Sequence, residues 1–255
     1  MAARSLTLSA LRGIPLVKPG DDLGALLIAA IRQSEISPRD KDILVVAQKV
    51  VSKSEGRFVD LKTVQPTARA MAVAEQVRKD PRLVEVILSE SRDVIRMKPN
   101  VLIVEHKLGF VMANAGVDQS NVAGEGTDQV LLLPRNPDTA AANLKARLDR
   151  EFGVELAVII NDSFGRPWRL GVVGIALGAA GLPALVDMIG VPDLFGRKLR
   201  VTEVAVADEI AAAASLLMGQ SAERQPAVML RGFDWNSSAR PASALLRPRD
   251  QDLFR

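Results

Sequence analysis

The stretch from 158 to 181, VIINDSFGRPWRLGVVGIALGAAG, constrains the fold more than any other part of the chain. It begins inside an apolar run, residues 156–160, that reads as a buried strand. Asp162 and Ser163 follow at the expected strand end, and then a Gly/Pro break with Arg166 and Arg169. Gly171, Gly174, Gly178 and Gly181 come next among apolar residues, spaced like small residues on one face of a closely packed helix. The expectation is therefore strand, turn, helix. A carboxylate and a hydroxyl at a strand tip beside two guanidiniums suit a metal and phosphates. Strand ends are also ordinary places for Asp and Ser, so both readings stand at this point.

Around that stretch, strand and helix signals mix without regular βαβ alternation, which predicts an α+β fold of mixed sheets with packed helices. Strands are expected over 5–11, 43–47, 94–97, 101–106, 110–113, 201–206 and 227–230. Helices are expected over 23–33, capped from Gly20-Asp21-Asp22, over 66–80, and over 81–92 with Asp80 as cap and Pro81 in first place. Further helices are expected over 139–152, capped by Asp138, and up to Met218, capped by Asp208. No repeat or linker divides the chain. One domain is expected over 1–239, with room for two intertwined α+β subdomains. The Arg/Pro/Asp-rich tail, 240–255, either frays or folds back as a lid.

Composition narrows the chemistry. At 255 residues the chain can bury roughly three quarters of its unfolded surface without disulfides. It has no cysteine, which removes thiol nucleophiles and Cys-based zinc sites and fits a reducing compartment. His106 is the single histidine, so a multi-histidine metal site is excluded. Beside Glu105 and Lys107 near a turn at Gly109, it reads as a surface residue. A net charge of +3 with interspersed signs gives no nucleic-acid footprint, and seven Phe, two Trp and no Tyr argue against a base-stacking platform. The opening residues read as a first strand, no window suits a membrane span, and the expected location is cytoplasmic. The phosphate loop of Gly-x4-Gly-Lys-Ser/Thr type is absent, as is a Gly-x-Gly-x-x-Gly turn after a strand.

Two other places carry chemistry. Lys53 follows the 43–47 strand and is either a phosphate contact or a solvated lysine. Asp118 lies in NAGVDQSNV, an oxygen-rich loop after an apolar strand. It is either a hard-cation ligand or part of an Asx turn.

Together the motifs form a resemblance. GIPLVKPGDDL, QKVVSKSEG, NAGVDQSNV, VIINDSFGRPWRLGVVGIALGAAG, DLFGRKLRVTEVAVADEIAAAASLLMGQ and VMLRGF occur in the order found in the coenzyme F420-0:L-glutamate ligase (gamma-glutamyl ligase) family. The similarity runs from about 13 to 233, and the tail is its weakest part.

The resemblance implies GTP-dependent attachment of L-glutamate to a deazaflavin coenzyme precursor, with onward γ-linked extension, in coenzyme F420 biosynthesis. It implies an acyl-phosphate intermediate, two divalent cations (Mg²⁺ or Mn²⁺), assistance by K⁺, and a homodimer with sites near the subunit interface. Such chemistry needs charge neutralisation and positioning more than a protein nucleophile. By resemblance Asp118 and Asp162 ligate one metal and, with Lys53, form the catalytic set. Ser163 stands at a second-metal position where other members carry Thr. Gln220 stands where some carry Glu, and its amide brings no charge. Ile14, Pro15, Leu16 and Val17 match the early segment near the nucleotide. Gln48, Lys49 and Lys53 match the segment after the second strand, and Asn121 matches a GTP contact. Met218, Gly219, Gln220 and Ser221 open a loop against the nucleotide that lacks the family's usual glycines beyond Gly219. Arg166 and Arg169 are added on chemistry, since guanidiniums suit a phosphodiester or a developing phosphate charge. Two alternatives accompany this reading: a ligase of the same fold with a changed acceptor or amine donor, and a non-catalytic protein that binds the coenzyme or a nucleotide.

Overall fold

A computed structural model describes residues 4–122 and 128–253; residues 1–3 of the expected domain and 254–255 of the expected tail lie outside the described residues. In chain order the elements are β1 (Thr7–Ala10), α1 (Leu23–Gln33), β2 (Ile43–Ala47), α2 (Gln48–Ser54), β3 (Phe58–Asp60), α3 (Ala68–Val77) and α4 (Pro81–Ser89). Then come β4 (Ser91–Lys98), β5 (Val101–His106), β6 (Val111–Ala113), β7 (Gln129–Leu131), α5 (Pro137–Phe152), β8 (Ala157–Arg166) and β9 (Arg169–Ala180). β10 (Val186–Asp187), β11 (Glu203–Val204), α6 (Val206–Met218) and β12 (Ala227–Arg231) complete them. The fold is α+β, as the sequence predicts.

The central sheet has the order β1-β12-β2-β8-β9, with β2 and β8 parallel and the other neighbours antiparallel. Its middle strands are apolar on both faces because both faces are covered. Leu44, Val46, Val158 and Ile160 pack with α1 and α5, while Ile43, Val45, Ala157 and Ile159 pack with α6. Burying each of the Leu, Ile and Val side chains among these is worth about 1.5–3 kcal/mol, against about 1 kcal/mol for the whole span of strand propensity, so burial sets the register. α1 begins where expected: the Asp22 carboxylate accepts from the Ala25 N–H at 3.0 Å. A second layer, β4-β5-β6 with α3 and α4, holds its own core around Val84, Ile87, Leu102 and Val104. Phe110, Met112, Leu133, Phe164 and Leu177 join that layer to the β8–β9 hairpin.

The structure overturns the helix expected after Asp162. Residues 157–180 form a long hairpin instead, and Asp162 and Ser163 lie within β8. The glycines reflect close approach by helices that cross the strand. A Cβ on Gly174 would fall 2.2 Å from Ser215 Oγ and 2.5 Å from the Ala211 carbonyl oxygen of α6. A Cβ on Gly178 would fall 2.2 Å from the Pro137 carbonyl oxygen at the start of α5. Residues 174 and 178 would share a face of a regular strand. A bulge opposes Asn161 to Ala176 but Ile160 to Gly178, and so turns them to opposite faces.

Four other expectations are corrected. Asn136, not Asp138, caps α5, its side chain accepting from the Thr139 N–H at 3.0 Å. Asp138 instead accepts from the N–H groups of Ala179 at 2.9 Å and Ala242 at 2.8 Å, pinning the start of the tail to β9. Asp208 lies in the first turn of α6 and accepts from the Ala176 N–H, while burial raises its carboxyl above the ordinary value. His106 is buried, not exposed: its Nδ1 accepts from the Leu108 N–H at 2.9 Å, and its Nε2 lies 3.7 Å from Glu90, which also pairs with Arg57. The strand expected over 201–206 shrinks to Glu203–Val204. The tail folds back, with Ala242 buried and Leu246 packed near Phe110. Among the described residues no helix is long and apolar enough to cross a membrane.

Candidate active site

Four segments far apart in the chain meet beyond the end of β2. The parallel pairing of β2 with β8 sets Ala47 beside Asn161, so α2 starts next to Asp162. The loop after β6 delivers Asp118, which is fixed by paired backbone hydrogen bonds with Leu131, both at 2.9 Å. The loop after α6 supplies Ser221.

Asp118 has both carboxylate oxygens engaged. Oδ1 accepts from the Ser120 N–H at 2.8 Å and its hydroxyl at 2.7 Å, an Asx turn. Oδ2 faces the Lys49 ammonium at 2.7 Å. Lys49 also donates to the Ser120 hydroxyl at 2.8 Å. One helical turn later, Lys53 donates to the Asn121 carbonyl at 2.6 Å. Burial, then the like charge of Lys49, lowers the Lys53 ammonium from its ordinary value, and Asp118 opposes that change. The Asn121 amide donates to the Ser221 carbonyl at 3.1 Å, joining this loop to the one after α6.

Asp162 completes the cluster. Its Oδ1 accepts from the Ser163 N–H at 2.8 Å. Burial, reinforced by the negative charge of Asp118, pushes its carboxyl up to about 7, against the opposing pull of the Ser163 N–H, Lys49 and the Gln48 amide. Gln48 is itself buried and accepts from the Ser52 hydroxyl at 3.0 Å. Titratable groups perturbed by burial and a specific charged neighbour concentrate at functional sites.

The donor set fits a hard cation that retains other ligands. Asp118 already holds the Lys49 ammonium, whose charge also favours the ionised Asp162, and Ser163 adds a hydroxyl beside Asp162. Among the described residues no cluster of three or more His, Asp or Glu side chains forms, so a cation here would need water or substrate oxygens as well.

The structure thus brings together Asp118, Asp162, Gln48, Lys49, Lys53, Asn121 and Ser221. The segment holding Ile14, Pro15, Leu16 and Val17 runs up to α1 and is tied to α2 through the Gly20 N–H and the Ser54 carbonyl at 2.9 Å. Val17 is buried and Leu16 is exposed. Met218 is the last residue of α6 and is buried; Gly219 has φ +70, and Gln220 is exposed beyond it. Arg166 and Arg169 pair with each other across the hairpin tip. At about 3.3 Å per residue, Arg166 stands roughly 13 Å along the strand from Asp162, so the guanidiniums are not part of the carboxylate cluster. Sequence reasoning missed Ser120 and the influence of the Gln48 amide on Asp162. The Asp-x-Ser spacing was a signal for Ser120; nothing in the sequence pairs Gln48 with Asp162.

The α+β scaffold thus gathers carboxylates and lysines at one seam. Comparison with known proteins gives the family. Residues 13–232 match the family model of F420-0:gamma-glutamyl ligase. The chain is 47% identical over 253 residues to the coenzyme F420:L-glutamate ligase of Methanothermobacter thermautotrophicus, covering 98% of this chain and 99% of that one. It is 44% identical over 243 residues to the ligase of the same name from Methanopyrus kandleri, covering 94% and 93%. The one from Archaeoglobus fulgidus is 42% identical over 243 residues, covering 95% and 94%. The chain belongs to the F420-0:gamma-glutamyl ligase family, as its motifs suggested.

Proposed function

We propose that this protein is a ligase that joins L-glutamate to coenzyme F420-0 in coenzyme F420 biosynthesis, driven by GTP through an acyl phosphate. The observation that carries the proposal is the convergence of Asp118, Asp162, Lys49 and Lys53 from three separate segments in a chain that belongs to this family. In the proposed reaction a carboxylate oxygen of the precursor attacks the γ-phosphorus of GTP and GDP leaves. The glutamate amine then attacks the acyl carbon, phosphate departs, and the amine loses a proton. Repetition on the new terminus extends the tail.

The chain's own residues suit these steps. Lys53, held at the turn of α2, and Lys49 offer two positive charges to a triphosphate. Asp118 and Asp162, with Ser163 and the Gln220 side chain, are the residues that would hold Mg²⁺ or Mn²⁺. Such a cation supplies charge neutralisation and in-line alignment of the phosphates. Asn121 and Ser221, bonded to each other, offer a floor between two loops. The nearby Gln48 amide favours the ionised form of Asp162. A second copy of the chain is part of the proposal. Its support is the apolar surface around the hairpin tip and the loop after β10, where Leu170, Leu194 and Phe195 are almost fully exposed.

The test is a ligation assay read by mass spectrometry, with GTP, Mn²⁺ or Mg²⁺, L-glutamate and the tail-less precursor. A product heavier by one or more glutamyl units is expected. Absence of product under conditions where the Methanothermobacter relative yields it overturns the proposal. Light scattering in the same buffer should give the mass of a dimer; a monomer at all concentrations removes the second copy.

A further inference from the structure

Asn161 is an anomaly in the core. It ends the apolar run of β8, is 5% exposed, and lies one residue before Asp162. Its Nδ2 donates to the Ser215 hydroxyl at 3.0 Å and to the Met218 sulfur at 3.3 Å, both on the last turns of α6. Its Oδ1 is buried with no hydrogen-bond partner. A buried carbonyl left unpaired costs more than one ordinary hydrogen bond returns, and a thioether is a weak acceptor. A leucine, branched in the same way but larger and without polar atoms, would leave no buried carbonyl unpaired. Stability alone therefore disfavours asparagine here.

Its place in the fold supplies a reason. Ala47, the last residue before Gln48, is its partner across the parallel ladder. The bulge between β8 and β9 falls between Ile160 and Asn161. Ser215 is itself tied down, donating to the Ala211 carbonyl at 3.0 Å, so the Asn161 amide meets a fixed acceptor. Gly174 leaves the room that lets Ser215 come so close to the sheet. From Met218 the chain runs through Gly219 to Ser221, whose carbonyl receives the Asn121 amide. Asn121 in turn holds Lys53. Asn161 thus anchors one end of the short loop whose other end meets the Asp118 segment.

We propose that Asn161 is a positioning residue. By fixing the C-terminal turn of α6 to the strand that carries Asp162, it sets the loop from Gly219 onward over the nucleotide. This rests on the proposed function, because it takes the nucleotide to lie at that loop. Its amide donates to α6, so its action runs through Ser215 and Met218.

The test compares Asn161→Leu, Ser215→Ala and the double variant with the unaltered protein. Three readouts are used: titration with a fluorescent GTP analogue in Mn²⁺, thermal melting, and hydrogen exchange of the amides from 219 to 225. Asn161→Leu should bind the nucleotide about tenfold more weakly, which is about 1.4 kcal/mol. It should melt near the unaltered temperature, relief of the unpaired carbonyl offsetting the larger side chain, and exchange the loop amides faster. Adding Ser215→Ala should cost little more, because the same tether is already cut. Nucleotide affinity and loop exchange equal to those of the unaltered protein overturn the inference. A lowered melting temperature with proportionate loss everywhere also overturns it, since that is a packing role. Ser215→Ala, at a partly exposed site, gives the same reading should the leucine variant fail to fold. If the unaltered protein binds no GTP, the nucleotide reading falls, and hydrogen exchange still decides whether Asn161 holds the loop.

Discussion

Asp162→Asn should stabilise the metal-free protein while removing its affinity for divalent cations. The Asp162 carboxyl is pushed up to about 7 by burial and by Asp118. An unfolded aspartate ionises near 3.8, the ordinary value. Between those values the folded chain holds more protons than the unfolded one, so stability is fully present below the unfolded value and is lost as pH rises through 7. A shift of about 3 units at about 1.4 kcal/mol per unit sets a ceiling of roughly 4 kcal/mol, and partial solvent access to the side chain reduces it to about 2 kcal/mol. The neutral amide escapes that cost. Chemical denaturation in a chelator from about pH 4 to about pH 8 should show the two proteins alike at the acid end. The variant should then pull ahead by about 2 kcal/mol at the alkaline end. Mn²⁺ titration followed by paramagnetic resonance should show binding lost in the variant. A gap independent of pH, or a variant less stable at pH 8, would refute the electrostatic account. Retained Mn²⁺ affinity would remove Asp162 from the metal site.

Other perturbations probe separate parts of the molecule. Arg231→Met leaves Asp42, which is 2% exposed, without the guanidinium that donates to it at 2.8 and 2.5 Å. A loss of about 3 kcal/mol in urea denaturation is expected, because a buried carboxylate loses its countercharge. Gly178→Ala drives a methyl into the Pro137 backbone and should cost about 2–3 kcal/mol by thermal melting. Gly165→Ala, where nothing lies within 4 Å, should change little. Lys53→Met should weaken binding of the GTP analogue at least tenfold, as loss of a charge-assisted contact worth about 1.5–3 kcal/mol implies, with the melting temperature nearly unchanged. Equal affinity would take Lys53 out of the phosphate site.

Much of the fold was legible where one physical cause dominates. The runs 43–47 and 156–160 are too apolar for anything but a covered strand, and Asp22 before Leu23 marks a helix start that the structure keeps. The misses share a cause. Asp138 and Asp208 carry the signature of helix caps, yet each satisfies an N–H of β9, a choice set by tertiary packing that no local pattern records. Gly174 and Gly178 have a helix-like spacing, but they answer to α6 and α5 crossing a strand. His106 lies among charged neighbours in sequence and is buried where Glu90, itself paired with Arg57, comes to it from another segment. For the site, the motifs named Asp118, Asp162 and Lys53, while the contact of Lys49 with Asp118 depends on a fold-level meeting of α2 with a loop almost seventy residues later.

The position of β1 has a consequence for how this protein is made. β1 lies at the sheet edge and hydrogen-bonds to β12, near the opposite end of the chain. At roughly 5–20 residues per second, the ribosome needs about 10–40 s to travel from Ala10 to Ala227. For that interval the first strand exists without its neighbour. It is only four residues long, and Thr7 and Ser9 alternate with Leu8 and Ala10. A strand so short and half polar is a poor template for pairing with other nascent chains. The central sheet therefore closes late in synthesis, by capture of a segment that can wait.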